Sequence, residues 1–480
     1  MGLHDRLKTS NGVAGATTTD AYGASSAETT PTTAAFDPYS ELKTRIHHAC
    51  IQTLGPELFK SEARGDISER VTRAVTEQLV LDRTPLTREE RRQIIREITD
   101  DILGYGPLEP FLRDDSVTEI MVNAHDRIYV ERLGKIERTQ ATFADSAHLL
   151  RIIDKIVSQI GRRVDESSPM VDARLPDGSR VNAIIPPLSL RGPTLTIRKF
   201  SRDPYTMNDL ISFGTLTPKA AQFLAACVKG KLNILISGGT GTGKTTTLNA
   251  MSAFVPGDER IVTIEDAAEL QLQQEHVITL ESRPPNIEGQ GEIRIRELVR
   301  NSLRMRPDRI IVGEVRGAET LDMLQAMNTG HEGSLTTIHA NSPRDALSRL
   351  ETLVLTAGVE LPLRAIREQV SSAFDLLVQI SRLVDGSRRI SHITEVLRME
   401  SETVTMQDIF VAKPPDEEAA AERGALRLLS PLTCTGLKPH FSDKMAANGV
   451  VLQPSFFAQD DNAPAVGVGY QTSKFGGGFS

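Results

Sequence analysis

Residues 238–245 read Gly238-Gly239-Thr240-Gly241-Thr242-Gly243-Lys244-Thr245. An apolar run of strand-like composition, residues 232–237, comes directly before them, and a helical pattern from Thr246 to Phe254 comes directly after. This order of glycines, lysine and threonine between a strand and a helix matches the P-loop. Its glycines let backbone N–H groups turn inward around phosphate oxygens, and the helix directs its positive end at them. The sequence therefore predicts a nucleotide-phosphate site in an α/β fold.

Two side chains of the predicted P-loop have expected roles. Lys244 should reach the β- and γ-phosphates, and the Thr245 hydroxyl should bind Mg²⁺. The P-loop alone does not separate ATPases from kinases and GTPases, so further elements have to decide between them. The residues predicted to bind the nucleotide are Gly238, Gly239, Thr240, Gly241, Thr242, Gly243, Lys244, Thr245 and Thr246.

A second predicted strand, residues 309–312, is followed by Gly313 and Glu314. Glu314 should lie at the carboxyl edge of the sheet, where open α/β sheets bind their ligands. There it can orient or deprotonate the attacking water, so we predict that it is catalytic. The aspartate that usually precedes such a glutamate is replaced by Gly313. Either Glu314 carries both duties, or Mg²⁺ relies on Thr245 and water. A surface carboxylate without function is the alternative.

A third predicted strand, residues 261–264, ends in Glu265 and Asp266. Two acids at one sheet edge beside a phosphate site are unfavourable unless a cation lies there, and Mg²⁺ would supply it. Glu265 is therefore predicted as a metal ligand. The alternative is that these acids complement the N-terminal dipole of a helix.

Two histidines, His331 and His339, flank a short apolar run within residues 330–341. The surrounding glycine, serine and threonine suit a close approach of the backbone to a ligand. His339 is the preferred candidate of the two, because it follows the apolar run and could hydrogen-bond a γ-phosphate or its water. A buried structural histidine is the alternative for both.

Composition narrows the classes of protein. The chain has 480 residues, a formal net charge of −8, no Trp and 4% aromatic residues, which disfavours a dedicated nucleic-acid binder. Cys50, Cys227 and Cys434 are far apart and fit neither a disulfide framework nor a metal site, so we expect small apolar core residues in a reducing compartment. No signal peptide and no apolar run long enough for a transmembrane helix are visible, so any membrane role should be peripheral.

The chain divides into five segments by composition and periodicity. Residues 1–38 are rich in Thr, Ala and Ser and are predicted to be a disordered tail. Residues 39–103 show helical periodicity and are predicted to form a helical bundle, with Thr87 as a helix cap. Residues 104–202 are predicted to form a small α+β domain with a hairpin turn at Asp177-Gly178. Residues 203–412 alternate strands and helices, which favours a mostly parallel sheet, and residues 413–480 are predicted to be a poorly ordered extension.

The chain resembles the type II/IV secretion system ATPase superfamily in four elements and in their order. These are the P-loop, the acids at 265 and 266, Glu314 and the histidine segment. Within this superfamily, residues 283–289, 296–300, 313–317 and 322–330 look closest to the tight-adherence (Flp-type) pilus assembly ATPases. The resemblance implies that the α/β domain is a RecA-like P-loop NTPase domain. It also implies that the chain is an ATP-hydrolysing, Mg²⁺-dependent motor that powers assembly or retraction of a pilus or secretion apparatus.

The same resemblance implies how the motor is assembled. It predicts a homo-hexamer with the nucleotide between two domains, located in the cytoplasm and peripherally associated with the inner membrane through a platform protein. Arginines of the smaller domain reach the phosphates in related ring ATPases, and the matching positions here are Arg180 and Arg198. A fixed guanidinium suits the charge on a transferring phosphoryl group. A cation on a strand surface is the alternative for each.

Other classes of function remain open at this point. The main alternative is a RecA-like ATPase that translocates nucleic acid, which the acidic balance and the few aromatic residues disfavour. A P-loop kinase is disfavoured because no lid for a second substrate is apparent. A non-catalytic assembly module is disfavoured because Lys244, Thr245 and Glu314 are all present.

Overall fold

The computed structural model describes residues 39–58, 64–82, 84–132, 134–200, 204–285, 289–383, 385–412 and 431–458. They form a helical segment, a small antiparallel sheet with its helix, and a large α/β domain. The tail predicted at 1–38 lies outside the described residues, as do 413–430 and 459–480 of the predicted C-terminal extension.

The first part of the described chain is helical, as predicted, and consists of α1 (Ser40–Leu58), α2 (Arg64–Asp82) and α3 (Arg88–Leu103). Apolar residues at three- and four-residue spacing place one stripe of each helix in a shared core, which includes Ile46, Val75 and Ile98. The predicted cap at Thr87 is confirmed, since its hydroxyl accepts from the Glu90 N–H and the Glu90 carboxylate accepts from the Thr87 N–H.

The predicted α+β domain contains a six-stranded antiparallel sheet with the order β3-β2-β1-β6-β5-β4. Its elements are α4 (Glu109–Arg113), β1 (Val117–Ala124), β2 (Arg127–Arg132), β3 (Lys135–Arg138), α5 (Ser146–Ser158), β4 (Met170–Arg174), β5 (Arg180–Ile184) and β6 (Thr194–Arg198). Strand residues alternate between buried and exposed, and α5 packs its apolar face on the buried side. The predicted hairpin joins β4 and β5, and Gly178 in its turn has φ +92°, which favours glycine.

The large domain has a nine-stranded sheet with the order β15-β14-β13-β12-β7-β11-β10-β8-β9, whose strands from β12 to β9 are parallel. Its strands are β7 (Ile234–Gly238), β8 (Ile261–Glu265), β9 (Val277–Glu281), β10 (Arg309–Val312), β11 (Leu335–Ile338), β12 (Leu376–Arg382), β13 (Arg388–Glu400), β14 (Thr403–Val411) and β15 (Thr433–Cys434). Its helices are α6 (Met207–Ser212), α7 (Pro218–Lys229), α8 (Lys244–Ser252), α9 (Ile295–Ser302), α10 (Glu319–Asn328), α11 (Pro343–Thr356), α12 (Leu363–Ala373) and α13 (Ser442–Ala447).

Helices cover both faces of this sheet, which explains why the central strands are apolar throughout rather than alternating. Helices α7 and α8 share one core cluster with alternate residues of the central strands, and α10, α11 and α12 share another. Three predicted strands are confirmed. Strands β7, β8 and β10 correspond to the runs predicted around 232–237, 261–264 and 309–312. Their carboxyl ends meet at one edge of the sheet, which brings the distant motifs together.

Part of the predicted C-terminal extension was assigned wrongly. Residues 431–458 are ordered against the large domain rather than poorly ordered. Strand β15 pairs with β14, and Phe441 and Phe457 pack around the fully buried Phe223. The segment mixes apolar residues with Pro, Gly and polar residues and shows little periodicity, so its sequence lacks the pattern that marks a packed element.

The three cysteines are free and buried, as predicted for small core residues. Burial raises the pKa of the Cys227 thiol well above its ordinary value, so this side chain stays protonated inside the large domain.

Candidate active site

The predicted P-loop occupies the turn between β7 and α8, which is the strand–loop–helix context expected from the sequence. Gly241 and Gly243 have φ values of +68° and +95°, a region that residues with a Cβ rarely adopt. Lys244 Nζ donates to the Gly239 carbonyl oxygen at 3.0 Å, so its ammonium lies across the loop. Thr245 follows on the first turn of α8. The N-terminus of α8 and the Lys244 ammonium therefore face the same loop, which suits an anion.

Charged groups of both signs surround Lys244. Burial lowers the pKa of Lys244, Glu314 opposes that change, and the charges of Arg316, Arg198 and Arg349 lower the pKa further. Arg198 belongs to the smaller domain, whereas the other groups belong to the large one. Several cations gathered around one lysine repel one another, so a polyanion such as a triphosphate would relieve this repulsion.

Glu314 lies just after β10, at the sheet edge where the sequence predicted it. Arg316 Nη2 donates to Glu314 Oε2 at 2.5 Å, and Arg316 Nη1 lies 3.7 Å from Asp266 Oδ2. The side chain of Glu314 keeps partial access to solvent. A carboxylate that is held by an arginine and still open to water is placed to orient a water molecule at the P-loop.

His339 follows β11 and is half-buried at the same edge. Burial lowers its pKa, the charge of Lys244 lowers it further, and the charge of Glu314 opposes this. The imidazole is therefore neutral at pH 7 and can both donate and accept a hydrogen bond. His331 has a different position, since its Nδ1 lies 3.2 Å from the Ala326 carbonyl oxygen at the end of α10.

Glu265 ends β8 and is almost fully buried, with 3% of its surface exposed. Its Oε1 accepts from the N–H groups of Glu269 and Leu270 at 3.0 and 3.2 Å, and its Oε2 accepts from Leu270 at 3.3 Å. Burial raises the pKa of Glu265 to about 7, the two backbone donors oppose this, and the charges of Glu269 and Glu281 add to it. The carboxylate thus ties down the loop after β8, and its role as a metal ligand stays a prediction.

The position of Glu265 also explains the glycine at 313. A Cβ placed on Gly313 would lie 2.8 Å from Cγ of Glu265, closer than such atoms approach. An aspartate at 313 is therefore incompatible with Glu265 in this place. The close approach of Glu265 therefore favours a residue without a Cβ at 313.

The two predicted arginines of the smaller domain meet at the domain boundary. Arg180 and Arg198 are cross-strand partners on β5 and β6. The Nη1 atoms of both approach the same oxygen, Oε1 of Glu269, at distances of 3.2 and 3.9 Å. A second pair crosses the boundary nearby, since Arg174 Nη2 lies 3.1 Å from Glu281 Oε2. Their predicted contact with phosphates stays a prediction.

Sequence reasoning missed Glu269 and Arg316. Glu269 lies in an irregular loop four residues after Glu265, and its partner Arg180 is 89 residues away, so no local pattern marks the pair. Arg316 is two residues after Glu314, and this spacing could have suggested a partner for the Glu314 carboxylate. Among the described residues, no helix is long and apolar enough to cross a membrane.

Known proteins are similar to this chain in sequence. Residues 101–428 match the model of the family described as type II/IV secretion system protein. A putative conjugal transfer protein of Mycobacterium tuberculosis is 38% identical over 339 residues, which cover 69% of this chain and 96% of that protein. The conjugal transfer protein TrbB of Rhizobium radiobacter is 34% identical over 312 residues, or 64% of this chain and 91% of that protein.

A solved structure is also similar. The VirB11 ATPase of the Brucella suis type IV secretion system, in complex with sulphate, is 31% identical with a TM-score of 0.34, covering 60% of this chain and 91% of that one. With Lys244 at the first turn of α8 and Glu314 after β10, the site has the parts that nucleotide hydrolysis needs. The chain belongs to the type II/IV secretion system protein family and is an ATPase of that family.

Proposed function

We propose that this chain is the ATP-hydrolysing subunit of a homo-hexameric motor that powers assembly or retraction of a pilus or secretion apparatus. The observation that carries the proposal is the convergence of two domains on one P-loop. Lys244, Glu314 and His339 come from the large domain, and Arg198 of the smaller domain contributes to the electrostatics of Lys244. A site shared between two domains couples the state of the nucleotide to their relative position.

The residues have distinct tasks in this mechanism. Lys244 and the N–H groups of the P-loop bind the β- and γ-phosphates, and the Thr245 hydroxyl holds Mg²⁺. Oxygen donors suit this ion, and Thr245 on α8 together with Glu265 at the end of β8 would supply them. Mg²⁺, when bound, neutralises charge on the phosphates. Glu314 orients the attacking water and accepts its proton at a carboxylate oxygen, and neutral His339 hydrogen-bonds the γ-phosphate or that water.

Arg180 and Arg198 supply positive charge from the other domain. Both lie against Glu269 at the domain boundary. Transfer of these guanidinium groups from Glu269 to the γ-phosphate would stabilise the charge that develops during hydrolysis. Hydrolysis would return them to Glu269, and this exchange would drive the movement of the domains.

The proposed partner and location rest on the resemblance to the secretion ATPases rather than on contacts. We propose an inner-membrane platform protein as the partner, and a cytoplasmic location peripheral to that membrane. The tight-adherence pilus systems are the branch that the segments 283–289 and 313–317 favour. The alternative of a nucleic-acid-translocating ATPase is not supported by the family match.

A variant that binds ATP without hydrolysing it tests the proposal. Glu314→Gln should bind ATP nearly as the wild type does and lose turnover by about 10²-fold or more, the scale of a lost general base. The trapped variant should form hexamers on light scattering with ATP and Mg²⁺, and should retain an inner-membrane protein in pull-downs. Wild-type turnover in this variant removes Glu314 from the mechanism. A protein that stays monomeric with nucleotide contradicts the ring.

A further inference from the structure

Two tight turns from different domains meet beside the P-loop. One joins β2 to β3 at Gly134, and the other joins β12 to β13 at Gly386. A Cβ placed on Gly134 would lie 3.5 Å from the carbonyl oxygen of Gly386, so the two turns are in contact. Arg382, at the end of β12, donates from Nη2 to the Gly134 carbonyl oxygen. The smaller domain therefore touches the large domain at the flank of the P-loop that faces β12, away from Glu314.

Arg388, the first residue of β13, contacts both partners of this junction. Its Nε donates to the carbonyl oxygen of Gly241 in the P-loop at 2.9 Å. Its Nη2 lies 3.9 Å from Oε1 of Glu131 on β2. The Glu131 side chain is only 12% exposed and also accepts from the Thr118 hydroxyl at 3.2 Å, so it is held in position. One guanidinium group thus joins the phosphate loop to the smaller domain.

The bond to Gly241 has a consequence for phosphate binding. A P-loop binds phosphate through N–H groups that point inward, which requires the peptide carbonyls to point outward. Arg388 donates to such a carbonyl and thereby stabilises the loop conformation in which the cradle is formed. A loop that is held in its binding conformation loses less entropy when a ligand arrives.

We propose that Arg388 is a positioning residue that holds the P-loop ready for phosphate and couples its state to the smaller domain through Glu131. Arg382 supports the same junction through Gly134. This inference rests on the proposed function, because it assumes that the P-loop binds a nucleotide. It adds a connection between the two domains that is separate from the arginine pairs with Glu269 and Glu281.

The chain supplies a matched control on the same strand. Arg389 follows Arg388 on β13, so its side chain points to the opposite face. It donates to the carbonyl oxygen of Gly214, in the connection between α6 and α7. Arg389→Gln removes the same charge from the same strand without touching the junction.

The test is a double-mutant cycle on ADP affinity, measured by titration calorimetry with Arg388→Gln, Glu131→Gln and the double variant. Arg388→Gln should raise the Kd for ADP by about tenfold, the scale of one charge-assisted hydrogen bond, and should raise KM for ATP with little change in kcat. Glu131→Gln should raise the Kd by a smaller factor although it touches no nucleotide. The double variant should bind no more weakly than Arg388→Gln alone, because the two residues act through one contact.

The other outcomes contradict either this inference or the proposed function. Effects of Arg388→Gln and Glu131→Gln that multiply independently contradict the coupling, and so does an Arg388→Gln variant that binds ADP like Arg389→Gln. If Arg388→Gln fails to fold, as judged by its Tm, the comparison of Glu131→Gln with Arg382→Gln decides, and wild-type affinity in both overturns the inference. A wild-type protein that does not bind ADP would refute the proposed function instead.

Discussion

Glu265→Gln should remove a pH dependence of stability that the wild type carries. The buried carboxyl has a pKa of about 7 against an ordinary value of 4.5. A group whose pKa is raised by folding stabilises the protein while it is protonated in both states, and this stabilisation is lost as the pH rises through the folded pKa. Wild-type stability should therefore fall between pH 4.5 and about 7. The amide of glutamine does not titrate, so the variant lacks this contribution.

The magnitude follows from the difference between the two pKa values. At about 1.4 kcal/mol per pH unit, a shift from 4.5 to about 7 corresponds to roughly 3 kcal/mol of unfolding free energy. The free energy of unfolding of the variant, relative to that of the wild type, should rise by about 2–3 kcal/mol between pH 5 and pH 8. Replacing one oxygen by an amide group adds an offset that is the same at every pH, so the slope is the quantity to compare.

Urea denaturation at several pH values measures this slope. Asp266→Asn is the matched control, because it removes the neighbouring carboxylate, whose side chain is 55% exposed, and keeps the Glu265 carboxyl. A titration of ATPase activity with Mg²⁺ separates the two roles of Glu265. A residue that ties down the loop leaves the half-activating Mg²⁺ concentration unchanged, whereas loss of a direct ligand raises it.

Parallel stability curves for the wild type and Glu265→Gln would refute the reasoning, since they would mean that the carboxyl is ionised in the folded protein throughout this range. A raised Mg²⁺ requirement together with parallel curves would instead establish Glu265 as a metal ligand.

Three further predictions concern separate parts of the molecule. Lys244→Ala should abolish ATP hydrolysis and weaken nucleotide binding in calorimetry, and normal turnover would contradict the P-loop assignment. Arg180→Ala and Arg198→Ala should each bind ADP like the wild type but lose hydrolysis by roughly 10³-fold, with poor rescue by lysine, which lacks the planar fork. A normal rate in either variant would make that residue a surface cation. Phe457→Ala should lower the free energy of unfolding by about 3 kcal/mol in urea denaturation, because the ring is 3% exposed against Phe223. A loss near zero would mean that residues 431–458 do not pack on the domain.

The sequence alone determined the features that depend on interactions between neighbouring residues. The P-loop could be placed between β7 and α8 because its glycines, Gly241 and Gly243, supply the positive φ values that the turn needs. The cap at Thr87 and the hairpin turn at Gly178 were predictable for the same reason, since neighbouring residues satisfy or constrain their backbone. Apolar runs predicted buried strands, and the rule that parallel strands end at one edge brought Glu314 to the P-loop.

The tertiary structure alone decided which side chains meet across the domains. Arg180 finds Glu269 at a separation of 89 residues, and Arg382 finds the Gly134 carbonyl oxygen at a separation of 248 residues. No periodicity encodes such pairs, because they depend on how two separately folded sheets are placed against each other. The same holds for Phe457, whose packing on Phe223 depends on a path of the chain that no local sequence pattern reveals. Local backbone preferences depend on adjacent residues, whereas contacts between domains form only when the whole chain has folded.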